Sequence, residues 1–217
     1  MGVLSKEAIL KRIENVPKPL IVGFLSKSLQ GASYDLHLGD EYLKGGSLYK
    51  LDSSTSQYLE IPAHDVVVVA TSEKVNIPTD LVGHFGLRLG LVMKGLVLNN
   101  EPQIDPGYSG RLFCLLYNLT DKSIILTDNQ SFATIEFETV EGTCNEYKGP
   151  YRKADHISDA VREILPRSGL KELSDDFKKM ESRLTRKVDH FYTLFFTVIT
   201  IILAVLGFLV TRILIGP

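Results

Sequence analysis

The sequence is poor in the features that mark secreted, metal-binding and nucleic-acid-binding proteins. It has two cysteines, and Cys114 lies in an apolar run where a small buried hydrophobe is expected rather than half of a disulfide. Cys and His residues show no zinc-site spacing, and no Walker loop or nucleophile elbow appears. The formal net charge is −2, and residues 1–150 contain no block of Lys and Arg. Polymeric nucleic acid is therefore not expected as a ligand.

The N-terminal segment also lacks a targeting signal. Residues 1–15 are charged and helical in pattern, unlike a signal peptide, and Lys6 departs from the myristoylation pattern that would follow Gly2. Ser5 is suited to cap a short amphipathic helix whose apolar positions are Ala8, Ile9 and Ile13. The chain is expected to begin in the cytoplasm.

The central part of the chain has the pattern of a β domain. Residues 33–140 contain short runs rich in Val, Ile, Leu, Tyr and Phe, which are separated by Gly, Pro, Asn and Asp. The clearest runs are residues 66–69, 112–117 and 124–126. This pattern predicts a mainly β, sandwich-like or jelly-roll-like domain over residues 1–155, followed by a linker at 156–169 with a short helical stretch at 158–165.

Beyond the linker, apolar residues recur at alternating steps of three and four. The positions are Leu170, Leu173, Phe177, Met180 and Leu184. Such spacing predicts an amphipathic, coiled-coil-like stalk over residues 170–190. A lone amphipathic helix on the domain or on a bilayer surface is the alternative.

An uncharged apolar run follows at residues 191–211. As a helix it would be about 31 Å long, which matches a hydrocarbon core of about 30 Å. We therefore assign a transmembrane helix to residues 191–213. Five basic residues precede this run and Arg212 alone follows it: Lys178, Lys179, Arg183, Arg186 and Lys187. This bias predicts a single-pass membrane protein with its large N-terminal domain in the cytoplasm.

Several strings in the β domain closely resemble the dCTP deaminase branch of the dUTPase superfamily. They are LQGASYDLHLGDEY at 29–42, VNIPTDLV at 75–82, GL at 95–96, IDPGYSG at 104–110 and NQSFATIEF at 129–137. The resemblance covers about residues 3–155. It implies a distorted β-barrel or jelly roll, assembled as a homotrimer with nucleotide sites between subunits.

The resemblance also shows where the chain departs from the family. The family's phosphate loop has an Arg followed by two Ser and, further on, a second Arg. Arg88 matches the first Arg, but Leu89 and Gly90 occupy the serine positions. Met93 stands where the second Arg belongs, with Lys94 as a partial substitute. Arg88 is expected to bind an anion, the alternative being a salt bridge within the trimer.

The departure at the family's general base is more severe. Counting from Gly110 places that glutamate at Leu115, and a leucine cannot shuttle a proton. No catalytic residue is therefore expected. Glu101 is a weak candidate for a displaced carboxylate, and a solvated loop residue is the alternative.

Other matching positions persist. Asp35 matches a residue that organises the metal through water in dUTPases, or else it caps the turn after Tyr34. Asp105 matches the family's sugar contact, or else it serves the Asp-Pro-Gly turn. The remaining expected nucleotide contacts are Tyr108, Gln130 and Tyr147. The resemblance implies a C-terminal lid residue over the base, which is Tyr147 or, as the alternative, Tyr151. Mg²⁺ is expected only together with a nucleotide.

These observations favour a membrane-anchored, trimeric pyrimidine-nucleotide-binding protein that has lost deamination. It would act as a sensor or membrane effector, and defence against phage is one such output. An anchored, active dCTP deaminase or dUTP diphosphatase is the first alternative. A trimeric scaffold without a nucleotide ligand is the second.

Overall fold

The chain divides into two units, which are described separately. The computed structural model describes residues 2–14, 16–51, 58–99, 103–142, 144–160 and 169–215. The first unit is Met1–Lys171 and the second is Glu172–Pro217.

The first unit consists mainly of short antiparallel strands. Its strands are β1 (Ile21–Val22), β2 (Tyr34–Lys44), β3 (Ser47–Lys50), β4 (Tyr58–Ile61), β5 (Val66–Asn76), β6 (Leu81–Leu87), β7 (Leu96–Leu98), β8 (Gln103–Ile104), β9 (Ser109–Asn118), β10 (Ile124–Thr127) and β11 (Ser131–Thr139). Its α-helices are α1 (Lys6–Lys11), α2 (Leu89–Val92) and α3 (Ile157–Ala160), and Ser26–Ser28 forms a 3₁₀ turn.

One curled sheet carries most of these strands. Its order is β7-β9-β5-β2-β11-β6-β8, with β1 added on β5 and β3 added on β2, while β10 and β4 pair separately. Register shifts interrupt the pairing of β5 with β9 and of β2 with β5. Such irregularities bend and twist strands, and the result is a half-barrel. The predicted mainly β class is confirmed, and the runs at 66–69, 112–117 and 124–126 lie in β5, β9 and β10.

Helix α1 has the predicted cap. The Ser5 hydroxyl accepts a hydrogen bond from the backbone N–H of Ala8 at 3.4 Å, and Ile9 is fully buried. The preceding residue, Leu4, donates its N–H to the carbonyl of Phe137 on β11. The N-terminal helix is thus held against the domain by this backbone bond, by the buried side chain of Ile9 and by the ion pair of Arg12 with Asp80 at 2.6 Å.

A dense apolar core fills the curl of the sheet. Its largest fully buried side chains include Tyr34, Phe132 and Phe137. Cys114 on β9 is also fully buried, and burial raises the pKa of its thiol far above the ordinary value. Cys114 therefore behaves as the small apolar residue that its sequence context predicted.

One buried carboxylate joins β5 to β2. Glu73 is only 2% exposed. Its Oε1 accepts from the hydroxyl of Tyr34 at 3.1 Å and pairs with Nδ1 of His37 at 2.5 Å, and its Oε2 accepts from the N–H of His37 at 2.9 Å. Burial raises the pKa of Tyr34, so its hydroxyl stays a donor. On the far side of the ring, His37 Nε2 lies 3.2 Å from the Ser28 hydroxyl.

The second unit is a single long helix. Helix α4 runs from Gly169 to Ile215, so the predicted stalk and transmembrane segment form one continuous element. Within it, Leu173–Gly207 includes a window of mean hydropathy 2.0, with none of that window buried. By length and composition this helix is able to cross a membrane. The exposed side chains include the predicted heptad residues Leu173, Phe177, Met180 and Leu184.

We expect Glu73→Ala to lower the free energy of unfolding by about 3–5 kcal/mol, because it leaves His37 and Tyr34 without their buried acceptor. Glu136→Ala on β11 is the matched control; its carboxylate is exposed, so the change should stay within about 0.5 kcal/mol. Denaturant unfolding in mild detergent, followed by circular dichroism, measures both. Equal stability of the two variants would show that this buried contact is not needed.

Candidate functional site

The Asp-Pro-Gly turn between β8 and β9 forms one edge of the candidate site. The carbonyl of Asp105 accepts from the N–H of Tyr108 at 3.1 Å, which closes the turn. Gly107 has a φ of +84°, and its N–H donates to the carbonyl of Ile77. A side chain at Gly107 would also lie 2.7 Å from Cβ of Glu146, so glycine is required both for the backbone conformation and for the approach of a second segment.

A cleft of about 640 Å³ opens beside this turn. Its wall is mostly apolar, and its polar groups lie near the turn. The lining residues are Val68, Phe85, Asn99, Gln103, Ile104, Asp105, Tyr108, Leu112, Phe113, Leu115, Tyr147, Tyr151 and Ala160. Three of the predicted nucleotide contacts, Asp105, Tyr108 and Tyr147, therefore share one cavity with Leu115.

The polar groups of the cleft differ in their availability. Tyr108 is largely buried, and its hydroxyl donates to the carbonyl of Arg111. Burial raises the pKa of Tyr108, so this group stays neutral and already has a partner. The carboxylate of Asp105 accepts from the side-chain amide of Gln103 at 3.2 Å. Among the described residues that line the cleft, Asp105 is the single carboxylate, and none carries a positive charge.

Residues 145–160, here called the strap, form another side of the cleft. Its first anchor is the N–H of Tyr147, which donates to the carbonyl of Pro106 at 2.6 Å. The rings of Tyr147 and Tyr108 have centroids 6.2 Å apart. Tyr151 and Ala160 add further lining from the same segment. A molecule that fills the cleft would therefore touch both the sheet and the strap.

A second polar cluster surrounds Asp35. This carboxylate accepts from the Thr134 hydroxyl at 3.0 Å and from the Gln30 amide at 3.3 Å, and it lies 3.4 Å from the guanidinium of Arg88. Arg88 is the N-terminal flanking residue of α2 and half exposed. Asp35 lies within β2, so its side chain bridges strands rather than capping a turn.

Comparison with known proteins agrees with the resemblance. The sequence model of the dCTP deaminase-like family matches residues 3–140. The chain belongs to the dCTP deaminase-like family. It is 34% identical over 144 residues to the dCTP deaminase of Thermococcus kodakarensis, covering 66% of this chain and 91% of that protein. It is 31% identical over 147 residues to the dCTP deaminase of Pyrococcus furiosus, covering 67% and 92%.

A solved structure supports the same fold for this dCTP deaminase-like domain. The dCTP deaminase from Agrobacterium tumefaciens matches with a TM-score of 0.53 and 17% identity, over 63% of this chain and 48% of that chain. The fold of this domain is therefore that of a dCTP deaminase, as the resemblance in the sequence implied.

Within this family fold, α2 occupies the place that the resemblance gives to the phosphate loop. Leu89 is 73% exposed and Met93 is 79% exposed, so neither serves the core. Their apolar side chains offer no hydrogen bond to a phosphate. This end of the domain therefore presents an apolar surface, with Arg88 beside it.

The other predicted site residues lie outside the cleft. Lys94 lines a separate polar groove formed largely by residues 120–125. Gln130 stabilises the turn before β11, where its side-chain oxygen accepts from the N–H and the hydroxyl of Thr127. Glu101, the weak candidate base, lies outside the described residues. In the part of the chain that is described, no three His, Cys, Asp or Glu side chains gather as a metal site.

The strap was the main feature that the sequence reasoning missed. Its end was assigned to the linker at 156–169, yet Ile157 is buried against Val68 and Ala70. The signal in the sequence is weak: Ala154 and Ile157 are isolated apolar residues within a polar stretch. The predicted helix at 158–165 overlaps α3, and residues 161–168 lie outside the described ranges.

Gly107→Ala tests the contact between the turn and the strap. The control is Gly142→Ala, because Gly142 has a similar φ of +87° but no heavy atom within 4 Å of an added Cβ. Both variants should suffer backbone strain of about 1–2 kcal/mol. Gly107→Ala should lose about 1–3 kcal/mol more, because its Cβ overpacks against Glu146. Equal losses, measured by denaturant unfolding, would contradict the close approach.

Proposed function

We propose that this chain is a membrane-anchored pyrimidine-nucleotide-binding protein that no longer deaminates its ligand and acts as a sensor or membrane effector. One observation carries the proposal. Leu115 lines the cleft with Asp105 and Tyr108, at the position where the family resemblance places the general base. A cleft that keeps its ring-sized cavity and its turn carboxylate, but not its base, is suited to binding rather than turnover.

The distribution of charge supports an oligomeric site. A nucleotide carries phosphates, which require cations or N–H donors. The described lining of the cleft supplies no cation, while Arg88 and Lys94 lie elsewhere on the domain. In a homotrimer, a neighbouring copy would bring such groups to the open side of the cleft. Mg²⁺ would then accompany the phosphates rather than occupy a site made by the protein alone.

Helix α4 supports the membrane part of the proposal. Its apolar window fits the thickness of a bilayer, and the basic residues concentrate on its N-terminal side. The nucleotide-binding domain would then lie in the cytoplasm, tethered to the inner surface. A ligand that binds two arrangements of the trimer unequally would shift their populations and so act on the membrane helices. Defence against phage is one output of such a device.

An active enzyme is the second candidate, and the position of Asn99 favours it. Asn99 lines the cleft and donates its N–H to the carbonyl of Leu115. Glu101 follows two positions later in the sequence, and this candidate assigns it the role of a repositioned carboxylate. Metal-dependent product formation that disappears in Glu101→Gln would establish this candidate and overturn the loss of deamination.

The ligand prediction uses full-length protein in detergent with dCTP, dUTP or dTTP, each with Mg²⁺. At a concentration of about 100 times Kd, a bound nucleotide should stabilise the domain by about 2.7 kcal/mol, seen as a higher Tm. Asp105→Ala should remove this shift, and Glu60→Ala, an exposed carboxylate on β4, should keep it. Chromatography should show no deaminated or hydrolysed product. If dCTP, dUTP and dTTP all leave the Tm unchanged, nucleotide binding is wrong.

The anchor prediction uses carbonate extraction of membranes from expressing cells. The wild-type chain should remain in the membrane pellet. The double variant Val198→Arg with Leu203→Arg should move to the soluble fraction, because each arginine costs about 2.5–3.5 kcal/mol at the centre of a spanning helix. Thr185→Arg, outside the apolar run, should stay in the pellet. Wild-type protein in the soluble fraction would exclude a membrane anchor.

A further inference from the structure

The strap is held to the sheet at successive points along its length. After Tyr147, the next backbone contact is at Ala154, whose carbonyl accepts from the N–H of Arg111 on β9 at 3.0 Å. A side chain at Gly110 would lie 2.5 Å from the Ala154 carbonyl oxygen, so the two backbones pack in direct contact. Lys74 on β5 then pairs with Asp155 at 2.7 Å. The strap therefore crosses the start of β9 before it reaches α3.

The last anchor of the strap is a buried carboxylate. Glu41, near the end of β2, is only 3% exposed. Its Oε1 accepts from the N–H of Ile157 at 2.9 Å and lies 3.5 Å from Nδ1 of His156. The guanidinium of Arg111 lies 3.7 Å from this carboxylate and supplies a partner of opposite charge, which a buried carboxylate needs. Hydrogen bonds to a charged group are the stronger kind.

The surroundings of Arg111 are also shaped for this contact. Its Nε donates to the carbonyl of Thr71, and one terminal nitrogen donates to Asp40 at 2.8 Å. An added Cβ at Gly39 would lie 1.9 Å from the other terminal nitrogen, so glycine at this position makes room for the guanidinium. These contacts hold the guanidinium of Arg111 next to Glu41, and none of them involves a residue of the strap.

We propose that Glu41 is a positioning residue for the cleft. Its buried carboxylate latches the strap in the closed position through the Ile157 N–H, and a ligand in the cleft stabilises the same closed state. The ligand part rests on the proposed nucleotide binding, whereas the latch does not. Three residues belong both to the strap and to the cleft lining: Tyr147, Tyr151 and Ala160. Closure of the strap and binding of a ligand in the cleft are therefore linked.

Limited trypsin digestion of the full-length protein tests the latch. The strap contains three tryptic sites: Lys148, Arg152 and Lys153. Proteolysis requires local opening, so cleavage reports the open population of the strap. Glu41→Ala should increase cleavage at these sites roughly tenfold or more, because a charge-assisted buried bond is lost. Glu41→Gln retains a neutral acceptor for the Ile157 N–H but loses the charge, so its cleavage rate should lie between those of the wild type and of Glu41→Ala.

Two controls separate latch opening from general destabilisation. Asp40→Ala removes the exposed carboxylate that shares Arg111, and it should leave strap cleavage near wild type. Glu73→Ala destabilises the domain without touching the strap, so it sets the cleavage rate expected from global unfolding. The latch is overturned if strap sites are cut no faster in Glu41→Ala than in Glu73→Ala, or if Glu41→Gln behaves like Glu41→Ala.

Digestion in the presence of a nucleotide tests the latch and the proposed nucleotide binding separately. With dCTP, dUTP or dTTP present, strap cleavage of the wild-type protein should fall at least threefold, in step with the rise in Tm. If Glu41→Ala opens the strap but none of these nucleotides slows cleavage or raises the Tm, the latch stands and nucleotide binding is wrong. If a nucleotide raises the Tm but leaves strap cleavage unchanged, the coupling between cleft and strap is wrong.

Discussion

The buried contact between Glu73 and His37 fixes the strand on which the other polar clusters depend. Glu73 receives hydrogen bonds from three groups of β2, and it lies where a charge without partners would be costly. The position of β2 against β5 is therefore determined by polar geometry as well as by apolar packing. Apolar contacts alone would tolerate small displacements, whereas a buried carboxylate with three directed bonds does not.

Several separate features follow from the fixed position of β2. Asp35 faces Thr134 and Arg88, and Glu41 holds the strap, with His37 between them in the chain. Gly39 leaves space for the guanidinium of Arg111. Asp35, His37 and Gly39 alternate with Leu36 and Leu38, which enter the core. The string GASYDLHLGDE, which was the strongest sign of the family, is thus a strand whose polar positions connect three parts of the domain.

Local patterns in the sequence were sufficient for the elements and for one edge of the site. The Ser5 cap, the apolar strands and the turn at Asp105 each depend on neighbouring residues, so their chemistry is visible in a short window. Leu115, which counting from Gly110 puts at the position of the family's base, lines the cleft. The contacts that could not be predicted are those between distant positions. Ile157 and Glu41 are 116 positions apart, and no periodicity indicates that a lone isoleucine after a loop will be buried.

Leu115 lies where the family resemblance places the general base, and it also borders the apolar cluster that holds the strap. Leu115 packs in a small apolar cluster with Val68 and Ile157, beside Phe113. A glutamate at this position would place a carboxylate beside this apolar cluster, and its desolvation would be costly unless a ligand or water compensated it. With leucine, the cluster stays apolar in the absence of any ligand. A leucine at this position therefore suits the packing of the strap against the sheet, and under the proposed function the same side chain leaves the cleft without a proton acceptor.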